Sequence, residues 1–139
     1  MTPVEQTLLT ALVPIITELD VSRARQEATA IAAAHGFSKP AAYRMATAIS
    51  ELGNNIVFHA GEPGEIRLRV LRADGRLGLE AVAEDRGRGI DDVALAMLDG
   101  YSTGGGLGCG LPGCRRLVDE FEISSAPGKG ACVKVRLWI

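Results

Sequence analysis

At 139 residues, 47% hydrophobic and 23% charged, the chain has the size and balance of one globular domain; a domain of that length buries about two-thirds of its unfolded surface. A formal charge of -2 supplies no basic surface for a phosphodiester backbone or an anionic bilayer, so neither nucleic acid nor membrane is expected as a partner. No apolar run reaches the ~18 residues of a membrane span, and the apolar start, broken by Thr10 and Pro14, lacks the flanks of a signal peptide, so the expected location is the cytoplasm.

Residues 12–17 read as a short apolar strand. For residues 1–11 three readings stand open: a frayed or flexible end, an added turn, or a dimer contact, so both monomer and homodimer are compatible with the sequence. From Asp20, taken as N-cap, the chain is helical, with Ala24, Ala28, Ile31 and His35 on one face and Gly36 as the stop. Ser38 caps a second helix over 39–59, with Pro40 in its first turn where a missing N–H costs little. Met45, Ile49, Leu52 and Ile56 form its apolar stripe. Glu51 and Asn55 stand one turn apart on the flank of that stripe, an acid and an amide on the edge of a buried face.

Residues 61–64 break the helix. Ile66, Leu68 and Val70 then alternate with Glu65, Arg67 and Arg69, Asp74-Gly75 marks a hairpin turn, and Leu77, Leu79, Ala81 and Ala83 alternate up to Asp85. Asp91 or Asp92 opens a short helix to Met97. Leu111, Cys114, Val118 and Phe121 share one face of a later helix, and a last hairpin pairs 121–125 with 133–139 across Pro127-Gly128-Lys129-Gly130. Hairpins with one polar face imply an α/β two-layer sandwich: a mixed, mostly antiparallel sheet with helices on one side, built as a single domain over 1–139. The three cysteines fit no zinc spacing and read as small buried hydrophobes, and His35 and His59 form no ligand pair.

Chemistry concentrates in residues 85–113. Asp85-Arg86-Gly87-Arg88-Gly89 closes an apolar strand, and a second glycine cluster over 104–113 opens a helix. Glycines at that density let backbone approach a flat or highly charged ligand, and a helix start offers N–H groups and a positive dipole end to phosphate. A nucleotide is such a ligand. Gly108-Cys109-Gly110-Leu111-Pro112-Gly113 has the letters of a dinucleotide fingerprint, yet no strand leads directly into it. Gly128-Lys129-Gly130 lacks the spacing of a Walker loop, and a protein-kinase fold needs roughly twice this length.

Glu51 with Asn55 on a helix, Asp85-x-Gly87-x-Gly89 after a strand, and the 104–113 run before a helix together resemble the GHKL (Bergerat-fold) ATPases. Within them the chain resembles the bacterial anti-sigma factor serine/threonine kinases, through Thr47-Ala48-Ile49-Ser50-Glu51-Leu52, Gly100-Tyr101-Ser102-Thr103 and Gly110-Leu111-Pro112-Gly113, and most of all the RsbT-type branch of the stressosome. The resemblance implies ATP and Mg²⁺ as cofactors, Glu51 as general base, and Asn55 as the Mg²⁺ ligand. It implies that Asp85 accepts a hydrogen bond from the adenine amino group, with Gly87 and Gly89 making room for the ring. Ser102, Thr103, Gly104, Gly105 and Gly106 would form a lid over the triphosphate, with backbone N–H groups of Gly106, Leu107, Gly108 and Gly110 on phosphate oxygens. Two positions depart from the pattern: Ala131 follows Gly130 where many members have Thr, and Arg88 stands between Gly87 and Gly89.

By the same resemblance the substrate is a serine or threonine on a STAS-domain anti-anti-sigma or scaffold protein. A PP2C-like phosphatase is the expected second partner. Two alternatives accompany this reading: a nucleotide-dependent anti-sigma factor that binds a sigma factor directly, and a non-catalytic nucleotide switch.

Overall fold

The computed structural model describes residues 1–87, 110–125 and 128–139. Five strands, β1 (Gln6–Ile15), β2 (Gly64–Ala73), β3 (Arg76–Asp85), β4 (Glu120–Ser125) and β5 (Ala131–Trp138), form one sheet in the order β1-β2-β3-β5-β4. Every pairing between them is antiparallel. Helices α1 (Glu18–Ala34), α2 (Lys39–Asn55) and α3 (Gly110–Leu117) accompany them. The two-layer α/β sandwich expected from the sequence is the observed one. Among the described residues no helix is long and apolar enough to cross a membrane.

The helices begin and end for local reasons. The cap of α1 is Thr17 rather than Asp20. Asp20 is instead the third helical residue, and its Oδ2 accepts the N–H groups of Ile16 and Thr17 at 2.9 and 3.0 Å. Those bonds, from Thr17 first, hold its carboxyl below the ordinary range. At the other end His35 Nδ1 donates to the Ile31 carbonyl at 2.8 Å, and Gly36 turns the chain at φ +82. Ser38 Oγ accepts the Ala41 N–H at 3.2 Å, as its N-cap position requires. The expected helix over 39–59 is α2 plus a π-helical turn, Ile56–Ala60, that Gly61 ends at φ +77.

β1 is longer than its sequence signal and starts at Gln6. Its register on β2 slips between Thr7 and Leu9, which spoils the period-two alternation that would have announced it. Residues ahead of it are tied down: Glu5 N–H donates to the Arg72 carbonyl at 2.9 Å, and Thr2 N–H to Glu120 Oε2 at 2.7 Å.

The helix-facing side of the sheet, with Ile66, Leu68, Ala81, Val135 and Leu137, meets the α2 stripe of Met45, Ile49 and Leu52, all at most 1% exposed. On the opposite side Glu80 is fully buried between Arg69 and Arg136, each donating Nε to one carboxylate oxygen at 2.7 Å. Burial works against that charge, but the two guanidinium groups outweigh it and hold Glu80 below the ordinary 4.5. Its stabilising contribution is therefore complete above that value and lost as pH falls through the lowered one. Removing Arg136 strips one partner from a buried carboxylate, so Arg136→Met is expected to cost about 3 kcal/mol in urea unfolding. The double variant with Glu80→Met should recover much of that loss. A fully additive double variant would show that the pair is not coupled.

Candidate nucleotide-binding site

The site begins on α2. With Leu52 and Ile56 in the core, the helix's rotation is set, and Glu51 and Asn55 are left half-buried on its flank. The backbone amide of Gly110, the first residue of α3, lies against the Glu51 carboxylate. Burial pushes the Glu51 carboxyl up, and the Gly110 amide offsets part of that rise. Gly110, expected among the phosphate donors, adopts φ +64 and sets its amide beside Glu51. One turn further along α3, the buried Cys114 thiol donates to the Ala48 carbonyl at 3.3 Å. Burial first, and the nearby Glu51 charge second, push that thiol up to about 12, which leaves it protonated and unreactive.

The other end of α2 meets the tip of β3. Asp85 is the last residue of β3, opposite Gly64. A Cβ on Gly64 would lie 3.0 Å from Ile56 Cγ2 and 3.1 Å from Asp85 Cβ, so Asp85 and the α2 end share one side of the sheet. Asp85 Oδ1 accepts the Gly87 N–H at 2.9 Å. Gly87 itself is explained by protein packing, because a Cβ there would stand 1.9 Å from the Ala60 carbonyl oxygen. Gly130 fills the same role from β5's side, its Cβ position falling 2.1 Å from the Asp85 carbonyl oxygen. With Gly64, whose Cβ would also stand 2.5 Å from the Glu84 carbonyl oxygen, three close backbone approaches that need glycine surround Asp85.

A single helix thus links the two halves. Its residue 51 touches the start of α3, and its π-helical extension at residue 60 touches the Asp85-Gly87 turn, roughly 13 Å along the axis at 1.5 Å per residue. A pocket of about 260 Å³ adjoins Asp85, lined also by Glu84, Ser124, Lys129, Gly130 and Ala131. Ala131, which replaces the hydroxyl residue of the family pattern, pairs with Ser125, whose Oγ donates to the Gly130 carbonyl at 3.0 Å. Gly89, Ser102, Thr103, Gly104, Gly105, Gly106, Leu107 and Gly108 lie outside the described residues, as do Arg88 and the short helix expected from Asp91. Ala60 was not singled out from the sequence, and Gly64, Cys114 and Gly130 were read only as part of a helix break, a core-facing residue and part of a turn, since each matters here through a contact distant along the chain.

Residues 17–137 match the histidine kinase-like ATPase domain family. Over 127 residues the chain is 44% identical to the serine/threonine-protein kinase RsbT of Bacillus subtilis (strain 168), spanning 91% of this chain and 95% of that one. The chain belongs to the GHKL ATPases, and within them to the RsbT-like serine/threonine kinases. It is also 35% identical over 98 residues to an anti-sigma F factor of Caldanaerobacter subterraneus subsp. tengcongensis, covering 67% of each chain. A crystal structure of the RsbU and RsbW domains of a Mycobacterium tuberculosis protein superposes with a TM-score of 0.60 at 18% identity, over 93% of this chain. This chain spans 32% of that larger one, and the likeness there is one of fold. Family membership makes ATP the nucleotide and a serine/threonine kinase the enzyme class.

Proposed function

We propose that this RsbT-like kinase transfers the γ-phosphoryl group of ATP to a serine or threonine on a STAS-domain anti-anti-sigma or scaffold protein. It then binds a second partner such as a PP2C-type phosphatase. The observation that carries the catalytic part is the half-buried Glu51 carboxylate held against the first residue of α3. There Glu51 accepts the hydroxyl proton as the hydroxyl oxygen bonds to the γ-phosphorus. The bond from that phosphorus to the β–γ bridging oxygen breaks, and ADP leaves. A carboxyl pushed upward by burial is a stronger base than an exposed one, which suits it to this proton.

Mg²⁺ would neutralise phosphate charge during the transfer. It takes hard oxygen ligands, often one or two from protein with the rest from water and phosphate. Asn55, half-buried and one turn from Glu51, offers such an oxygen, and no other described residue hydrogen-bonds its amide. Asp85 is assigned to the adenine amino group. Gly87 already occupies Oδ1, and the second carboxylate oxygen, with no partner among the described residues, is the acceptor for the base.

Phosphorylation would add about -1.5 to -2 charge to the substrate surface and weaken its hold on the kinase, which frees the kinase for its next partner. Incubation with labelled ATP, Mg²⁺ and the STAS-domain protein encoded nearby should label that protein. No labelling, combined with nucleotide-dependent capture of a sigma factor, would favour the anti-sigma reading, which the resemblance to an anti-sigma F factor keeps in view.

For Asp85→Asn, the amide oxygen can keep the Gly87 bond while the amide NH₂ faces the adenine amino group, donor against donor. ATP affinity should fall about 10- to 100-fold, the value of a hydrogen bond to a charged acceptor, with the thermal melt unchanged. Calorimetric titration showing wild-type affinity would remove Asp85 from the adenine contact.

A further inference from the structure

We infer that Cys114 is a positioning residue for Glu51: its thiol locks α3 onto α2 at the height where the Gly110 N–H meets the Glu51 carboxylate. This rests on the reading of Glu51 as the base. The geometry is that of two parallel rungs between the helices. One joins Gly110 to Glu51 and the other joins Cys114 to Ala48, four residues apart on α3 and three apart on α2, which are single-turn spacings on one face of each helix. Cys114 is 0% exposed and Leu111 beside it 5%, so the first turn of α3 is buried against α2. Packing alone leaves a helix some freedom to slide or roll. A directional bond to one carbonyl, whose other lone pair already serves the α2 ladder, removes that freedom.

Among the described residues, little else facing Glu51 could tune it. Within one turn on α2 its neighbours are Thr47, Ala48, Asn54 and Asn55, none of them titratable. The strands packed on α2 present Ala81, Ala83, Val133 and Val135, and α1 presents Val21 to Gly53. On α3, Arg115 and Arg116 are exposed, and among the described residues Cys114, whose thiol donates to the Ala48 carbonyl, is the titratable group that senses the Glu51 charge. A thiol kept neutral by burial donates throughout the working pH range, so the rung does not switch off. The Gly110 amide lowers the Glu51 carboxyl against the pull of burial, so loosening the rung should let that carboxyl rise.

The test is a carbon-13 NMR titration of the Glu51 side-chain carboxyl in the nucleotide-free protein, run on wild type, Cys114→Ser, Cys114→Ala and Cys114→Val. Serine keeps a donor and should titrate with wild type. Alanine and valine, which lose it, should titrate at higher pH, and the pH profile of phosphoryl transfer should move up with them. Alanine and valine variants that stay folded and titrate like serine would overturn the assignment. Should those variants fail to fold, the wild-type Gly110 amide proton decides: its chemical shift should follow the Glu51 titration, and a pH-independent shift overturns the coupling. Because the titration needs no turnover, an absence of transfer in wild type would count against the kinase reading and leave this measurement to stand on its own.

Discussion

Gly130→Ala should destabilise the fold on the order of 4 kcal/mol, among the largest effects of a single methyl group expected anywhere in the described chain. Two costs combine. The residue adopts φ +80, a left-handed conformation that costs an L-residue roughly 1–2 kcal/mol. The added Cβ would also stand 2.1 Å from the Asp85 carbonyl oxygen and 2.9 Å from Arg86 Cα. Those are backbone atoms in the turn that follows β3, so no side chain can rotate away to absorb the clash. Gly128→Ala is the matched control, because it has φ +74 but meets nothing within 4 Å. It should show the conformational cost alone, about 1–2 kcal/mol. Urea unfolding of the pair separates the two terms, and equal losses would mean that the close approach to Asp85 contributes nothing. Since the displaced atom belongs to Asp85 itself, any Gly130→Ala protein that still folds should also bind adenine nucleotide weakly.

That expectation marks the boundary of what can be read from residues in a row. The β2–β3 hairpin was legible because Ile66, Leu68 and Val70 alternate with charge and because Asp74-Gly75 must turn; both take positive φ, at 51 and 73. The same holds for α2, where Ser38 and Pro40 announce a start by local chemistry alone. Asp20 misled by one turn because an acid near a helix start serves equally as cap or as third residue, and the choice fell to Thr17. β1 hid its first half behind a register slip. Glycine density in the site was visible, but the reasons for it were not: Gly87 answers to the carbonyl of Ala60 and Gly130 to that of Asp85. Glu80 alternates with the apolar residues of β3 and so falls on the sheet's other face. It is buried because Arg136, 56 residues away, closes over it. For Gly87, Gly130 and Glu80, pairing across the chain rather than the period within it decides the outcome.

Replacing Glu51 by glutamine should lower phosphoryl transfer by about 10²–10⁴-fold while leaving ATP bound and the protein more stable at neutral pH. The amide keeps an oxygen for the Gly110 N–H, so the α2–α3 rung survives, but it cannot take a proton from a hydroxyl. The stability claim follows from the direction of the shift. In the folded protein the Glu51 carboxyl is raised above 4.5, chiefly by burial, so between 4.5 and the raised value the folded state binds more protons than the unfolded one. Wild-type stability therefore falls as pH rises through that window and stays lower above it. Glutamine has no such penalty. Melts of the two proteins should coincide below the window and separate above it, with the variant the higher of the two. A variant that melts lower at neutral pH would place Glu51 among the stabilising residues, and one that transfers phosphate at the wild-type rate would move the base elsewhere. Lost activity with gained stability is the signature of a group retained for chemistry against the interest of the fold.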